Sequence, residues 1–341
     1  MAEHPPRLEI NPPLINSSNP WATTLEDLRA LHACPSTGAV TTRTSLVNGF
    51  AHDPAKHQYR FFDIAKQQPS PNSVSGQNAS LNSLGYSPIT LADYLGFIRT
   101  ISDDLPAPTS KGFIVSVTGT PEEVAESYKL VATAQSSLQV PLSVEINLSC
   151  PNIPNKPPPA YSKDSLVEYL DHIQGVIAAS PTLPRIPFGL KTPPYTHSTE
   201  YDGLIGALEQ SADSAAGGVS PVSFITATNT LGSCLAISDI YAVDTTSSPG
   251  LALPGTGIGG MAGAPLHPLA LGNVLTLRRM LDERKDKLGH IGLIGIGGVL
   301  DGAGYRRMKA VGATVVGVGT GLGLKGVKIF DEIEKGLDGQ W

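Results

Sequence analysis

Short runs rich in β-branched and apolar residues alternate along the chain with amphipathic stretches of helical length, and this alternation repeats eight times. The expected strands are Pro13 to Ser17, Gly38 to Thr42, Gly112 to Val117, Leu142 to Leu148, Pro187 to Lys191, Val222 to Asn229, Ile291 to Ile296 and Thr314 to Val318. The expected helices are Thr24 to His32, Leu91 to Ile101, Pro121 to Ser136, Lys163 to Ala179, Tyr201 to Ser211, Leu269 to Arg284, Gly302 to Val311 and Val327 to Gly336. Thr23 and Glu26 have the spacing of a capping box at the first of them. Strand followed by helix is the signature of βα units on a parallel sheet. Eight units in 341 residues point to one closed (β/α)8 TIM barrel over residues 1–341, since an open doubly wound sheet has no reason to stop at eight.

Composition narrows the function classes. With 40% hydrophobic and 16% charged residues the chain is neither disordered nor, lacking a long apolar run, membrane-spanning. A net charge of -6 and no basic cluster argue against nucleic acid as a partner. Cys34, Cys150 and Cys234 are far apart, without metal-ligand spacing, so no metal site and no disulfide framework is expected. The N-terminal residues lack the pattern of a signal or transit peptide, and a cytoplasmic protein is expected.

In a barrel, chemistry is carried by the C-terminal ends of the strands and the loops that follow. Those ends hold Asn16, Ser17 and Ser18, then Thr42 and Arg43, Asn147 to Asn152, Lys191, and Asn229 with Thr230. The seventh and eighth strands run into Gly297 and Gly298 and into Gly319 and Thr320, each followed by a helix. Backbone N–H groups that an absent Cβ leaves open, beside helix N-termini, are suited to a phosphate; Gly259 and Gly260 in the sixth loop are a third such cluster, and the plainer reading is that the glycines only serve turns. Two long connections, Arg43 to Thr90 and Thr230 to Pro268, are candidate walls of a site, although the polar stretch Gln67 to Ala79 also reads as a disordered insertion. Asn147 and Asn152 can read the amide edges of a polar ring, and Cys150 between them is either a nucleophile or proton acceptor or a buried structural thiol. Lys191, ending an otherwise apolar strand, needs an anionic partner unless it is a solvated strand end.

Six ordered motifs spread over nearly the whole chain resemble those of the class 1A dihydroorotate dehydrogenases, soluble FMN enzymes of some bacteria and fungi. NLSCPNIPNKP from Asn147 is similar to that family's active-site loop, and LNSLGY from Leu81 to its substrate loop. GLKTPPY from Gly189, TGIGGMAG from Thr256, LIGIGGV from Leu293 and GVGTGL from Gly317 resemble its flavin-binding segments. The resemblance implies FMN as cofactor, oxidation of dihydroorotate to orotate in pyrimidine biosynthesis, fumarate as acceptor, and a homodimer that works without a partner subunit. It makes Cys150 the base. Arg43, Asn82, Leu84, Gly85, Asn147, Asn152, Asn229 and Thr230 would then line the substrate. Ser17, Ser18, Lys191, Gly259, Gly260, Gly297, Gly298, Gly319 and Thr320 would hold FMN, with Lys191 beside the flavin N1 and C2 carbonyl edge.

The chain also departs from the family's pattern. Arg43 stands where the family has lysine, NGFAHDPAKHQYRFFD from Asn48 replaces an NPxPR segment, Tyr86 replaces leucine and Thr230 replaces serine. Two other readings stay open from the residues: the same flavin chemistry on another cyclic amide or activated alkene, and an inactive barrel that binds a metabolite.

Overall fold

The computed structural model describes residues 4–149, 158–243 and 250–341. Eight parallel strands close into a barrel, met in chain order as β1 (Leu14–Asn16), β2 (Ala39–Thr41), β5 (Gly112–Val117), β6 (Leu142–Asn147), β7 (Phe188–Thr192), β8 (Phe224–Ala227), β11 (Gly292–Ile296) and β12 (Val315–Val318). Helices α1 (Leu25–Ala33), α2 (Leu91–Asp103), α3 (Pro121–Gln135), α4 (Lys163–Ala179), α5 (Ser198–Ser214), α6 (His267–Glu283) and α8 (Gly302–Ala310) return the chain between strands. A short α7 (Lys285–Leu288) extends α6, and α9 (Thr320–Lys325) with α10 (Lys328–Lys335) follows the last strand. The barrel agrees with the eightfold alternation, and the element ends differ from the expected ones by a few residues. The cap of α1 lies one residue later than the Thr23–Glu26 spacing implies: Thr24 accepts from the Asp27 N–H while the Asp27 carboxylate accepts from the Thr24 N–H. Aspartate, one methylene shorter than glutamate, completes the box there.

The two long connections contain a second sheet that periodicity does not reveal. It is antiparallel, formed by β3 (Tyr59–Phe62), β4 (Ala79–Asn82), β10 (Gly259–Gly263) and β9 (Leu231–Cys234) in that order. Gln67 to Asn78 forms the turn-rich link between β3 and β4, tied back by reciprocal backbone bonds between Ser70 and Phe61.

Strand parity divides the barrel into an outer and an inner core. On β5, Phe113, Val115 and Val117 join the large cluster beneath the helices, whereas Ile114 faces inward with Ile15, Ala39, Phe224, Ile294, Ile296 and Val315. Leu8 and Ile10 of the N-terminal segment pack against this inner cluster. Gly189 lies against the Phe224 ring, where a Cβ would stand 2.4 Å from a ring carbon, so the glycine makes the space that Phe224 fills. The same parity turns Ser116 of β5, Glu145 and Asn147 of β6 and Lys191 of β7 away from the apolar outer layer and into the barrel.

The seam between β1 and β2 has a single paired register, Ile15 with Ala39. Asn16 completes it with its side chain: Nδ2 donates to the Thr41 carbonyl at 2.6 Å and Oδ1 accepts from the Thr41 N–H at 2.9 Å. The residue is fully buried, so Asn16→Ala leaves both backbone groups of Thr41 without partner or water. The expected cost is roughly 2 to 4 kcal/mol in urea unfolding; an unchanged midpoint would show that the seam does not depend on this side chain.

Candidate active site

Five polar side chains form a connected series across the inner wall. The Ser116 hydroxyl donates to Glu145 Oε1 at 2.9 Å, so its oxygen is left to accept from Thr44, also at 2.9 Å. Thr44 Oγ1 has then given its proton and accepts from Asn147 Nδ2 and from the Ser18 hydroxyl, both at 2.9 Å, while the Thr44 N–H donates back to Ser18 at 2.8 Å. Every side-chain hydrogen bond in the series runs toward one carboxylate. Lys191 Nζ stands 3.7 Å from the same oxygen, and both side chains are almost fully buried. A lysine at the end of an apolar strand therefore does have its anion, and register explains which: β6 and β7 pair Asn147 with Lys191 and Glu145 with Gly189, placing Glu145 diagonally across from the lysine.

Beside this pair the two asparagines meet. Asn229 Nδ2 donates to Asn147 Oδ1 at 3.2 Å and to Ser149 Oγ at 3.0 Å, and Asn229 Oδ1 accepts from the Thr230 N–H. Together they set amide and hydroxyl groups on one wall, a surface suited to a ring that carries amides of its own.

Of these residues Ser18, Thr44, Asn147, Lys191, Asn229 and Thr230 line a cleft between the barrel rim and the antiparallel sheet, with Glu145 and Ser116 behind its wall. Of the site residues expected from sequence, Ser17, Ser18, Arg43, Asn82, Leu84, Gly85, Asn147, Lys191, Asn229, Thr230, Gly297, Gly298, Gly319 and Thr320 all line it. Gly259 and Gly260 do not; they lie within β10, where a Cβ on Gly259 would stand 2.4 Å from the Asn82 carbonyl and one on Gly260 2.2 Å from Thr230 Oγ1. Ala262 and Gly263 of the same strand line the cleft in their place. Cys150 and Asn152 lie outside the described residues. The cleft also takes in Trp21, Thr44, Tyr59, Ser80 and Thr228, which motif reading passes over. Thr228 directly precedes Asn229 and was legible by position; Tyr59 and Ser80 arrive on the second sheet.

Arg43 ties the 83–87 loop to the rim, its Nη2 donating to the carbonyls of Gly85 at 3.3 Å and Tyr86 at 3.1 Å. Gly85 lies under the Phe50 ring, so close that a Cβ would meet a ring carbon at 2.3 Å. One cation and one aromatic ring from the connection after β2 thus join the backbone bonds, Ser87 N–H to Thr44 and Phe50 N–H to Ser87, that hold the loop. Trp21 stacks on Phe61 at 5.5 Å between ring centres and meets Tyr59 edge-on at 5.3 Å, packing the loop after β1 against β3.

At the other end of the cleft, Gly297 and Gly298 have φ of +137° and +68°, a path closed to most side chains. A Cβ on Gly298 would meet the Gly263 carbonyl at 2.6 Å, and one on Gly297 would meet the Ala270 methyl at 2.5 Å. Ser80 and Thr320 share a hydrogen bond of 2.8 Å that ties β4 to the start of α9.

Comparison with known proteins agrees with this arrangement. The family model described as dihydroorotate dehydrogenase matches residues 65–340. The chain belongs to the dihydroorotate dehydrogenase family. It is 29% identical over 327 residues to dihydroorotate dehydrogenase (fumarate) of Trypanosoma cruzi, covering 95% of this chain and 88% of that one. It is 31% identical over 269 residues to dihydroorotate dehydrogenase (fumarate) of Lachancea kluyveri, covering 79% and 75%. The crystal structure of ligand-free DHODH from Eimeria tenella shares the fold, with a TM-score of 0.67, 17% identity and coverage of 95% and 83%.

Dihydroorotate dehydrogenases are flavin-dependent oxidoreductases acting on CH–CH bonds, and the cleft fits such a cofactor. Among the described residues Thr228 Oγ1, buried and lining the cleft, has no hydrogen-bond partner. A buried orphan hydroxyl, a buried lysine and two glycine turns opening on one cavity are the donors that a planar polar ring with a phosphate tail requires. The lysine depends on its carboxylate. Glu145→Leu should destabilise the protein by about 3 to 5 kcal/mol by leaving a buried charge unpaired, and the double variant Glu145→Leu/Lys191→Met should recover most of that. Equal unfolding midpoints for the single and double variants would contradict the pairing.

Proposed function

We propose that this protein oxidises dihydroorotate to orotate with FMN as cofactor and fumarate as electron acceptor, as a cytoplasmic homodimer that needs no partner subunit. The observation that carries the proposal is the convergence, in one cleft, of Lys191 with Glu145 paired behind it, the facing amides of Asn147 and Asn229, and the glycine turns at Gly297–Gly298 and Gly319. Relatives covering most of the chain bear the name dihydroorotate dehydrogenase (fumarate), which supports both the substrate and the acceptor.

Bound FMN would supply a hydride acceptor at N5 for the hydrogen on C6 of the substrate. The chain's own residues account for the remainder. Cys150, the residue after Ser149, is the proposed base that takes the proton from C5, so that a C5–C6 double bond forms as the two hydrogens leave in opposite charge states. Asn147, Asn229 and Thr230, with Asn82, Leu84, Gly85 and Asn152, would orient the amide edges and the carboxylate. Lys191 would hold fixed positive charge against the ring edge that gains electron density, and burial keeps water from screening it. Ser17, Ser18, Gly319 and Thr320 would complete the cofactor's contacts, with Gly259 and Gly260 supporting the wall from behind.

Arg43 stands where the family has a lysine. Its guanidinium holds two carbonyls of the substrate loop, a task its fork geometry allows and a single ammonium does less well. Arg43 would therefore act on substrate binding through the loop and its charge together.

The test is orotate formation by the purified protein given dihydroorotate and fumarate. The wild type should turn over, and heat should release FMN and not FAD. Cys150→Ala should retain FMN and lose at least about 10²-fold in rate at neutral pH, the scale of general base catalysis. Cys150→Ser should recover only as pH rises. A Cys150→Ala variant with near-normal rate would return that cysteine to a structural role.

A further inference from the structure

His267 opens α6 from a buried position directly beneath the glycine turn. Its Nδ1 lies 2.6 Å from the Gly297 carbonyl, and Arg307 Nε of α8 lies 3.0 Å from its Nε2. These contacts allow one protonation state only. A guanidinium N–H can only donate, so Nε2 must accept and carries no proton; the carbonyl can only accept, so Nδ1 carries one. The ring is neutral and its tautomer is set from both sides. The backbone it grips is the one with φ of +137° and +68°, and Gly298 is pressed so near that a Cβ there would meet His267 Cβ at 2.7 Å.

We propose that His267 is a positioning residue for the phosphate end of the cofactor cleft: by tying the Gly297 carbonyl inward, toward α6 and α8, it fixes the peptide orientation of the Gly297–Gly298 turn that faces the ligand. This rests on the reading of the cleft as an FMN site. The charged groups facing the ring are Arg307 of α8 and Asp301, which caps that helix. Burial lowers the imidazole's pKa from the ordinary histidine value; the Gly297 carbonyl opposes this, the Arg307 charge adds to it, and Asp301 opposes it. A proton added at Nε2 would meet the Arg307 N–H head-on, donor against donor and charge against charge. Acid should therefore loosen the clamp, at a pH below the usual histidine range.

The test compares FMN with riboflavin, which lacks the phosphate, on flavin-stripped protein, by quenching of flavin fluorescence from pH 5 to 8. At pH 8, His267→Ala should bind FMN about tenfold more weakly, the scale of one hydrogen bond to a charged group, with riboflavin affinity little changed. His267→Asn keeps a donor where Nδ1 stood and should hold the preference for FMN. The phosphate itself gains a proton near pH 6 in every protein, so the imidazole is read from the difference between wild type and His267→Asn. On the acid side of the ordinary histidine value the wild type should lose FMN affinity more steeply than His267→Asn, toward a limit of about tenfold per pH unit. Equal loss of FMN and riboflavin in His267→Ala, or superimposable pH curves for wild type and His267→Asn, would overturn the proposal. A wild type that binds no FMN at any pH would instead remove the cofactor reading beneath it.

Discussion

Closure of the parallel barrel is the constraint from which the rest of the molecule follows. Once β1 pairs with β12 on one side and β2 on the other, no strand of the barrel has a free edge, and every second side chain must enter a closed interior. The lower interior is filled by apolar side chains such as Ile15, Ile114, Phe224 and Ile294. Toward the C-terminal ends the inward positions change character to Ser116, Glu145, Asn147 and Lys191, and the apolar filling stops. Charge at that depth survives only as a pair with its remaining lone pairs satisfied, which is what Ser116 and the hydroxyls behind it supply. The seam at Asn16, where one pair of residues and one side chain do the work of a ladder, is where that closure is thinnest.

The second sheet converts an open rim into a cleft. Its four strands come from two connections far apart in sequence, and their antiparallel pairing brings Tyr59, Ser80 and Asn82 over the barrel mouth. The Ser80–Thr320 bond and the packing of Trp21 on Phe61 fasten it to barrel loops at two separate points. A wall so fastened is a rigid scaffold for the substrate loop that Arg43 and Phe50 grip.

The barrel was legible in the sequence because its signal is periodic: eight apolar strands and their helices recur whatever surrounds them. The second sheet was not. YRFF is aromatic but only four residues long, and ASLN, LGSC and GGMAG are four or five residues carrying serine or glycine, stabilised by partners 17 to 184 positions away. No local propensity marks such strands. Glycine was ambiguous for the same reason: at Gly297 and Gly298 it permits a turn facing the cleft, whereas at Gly259 it admits the Asn82 backbone and at Gly260 the Thr230 side chain. Lys191 could be read as needing an anion, but only strand register identifies Glu145. His267 carries no motif, and its relation to Gly297 exists only after α6 folds onto the end of β11.

The chemistry of the cleft is the passage of electrons from dihydroorotate to a flavin and on to fumarate. Anaerobic mixing of the purified protein with dihydroorotate, followed in the flavin absorption band, tests it most directly. The band should bleach with one equivalent of substrate and return when fumarate is added. A flavin that dithionite reduces but dihydroorotate leaves unchanged would contradict the account and direct attention to another cyclic amide or activated alkene.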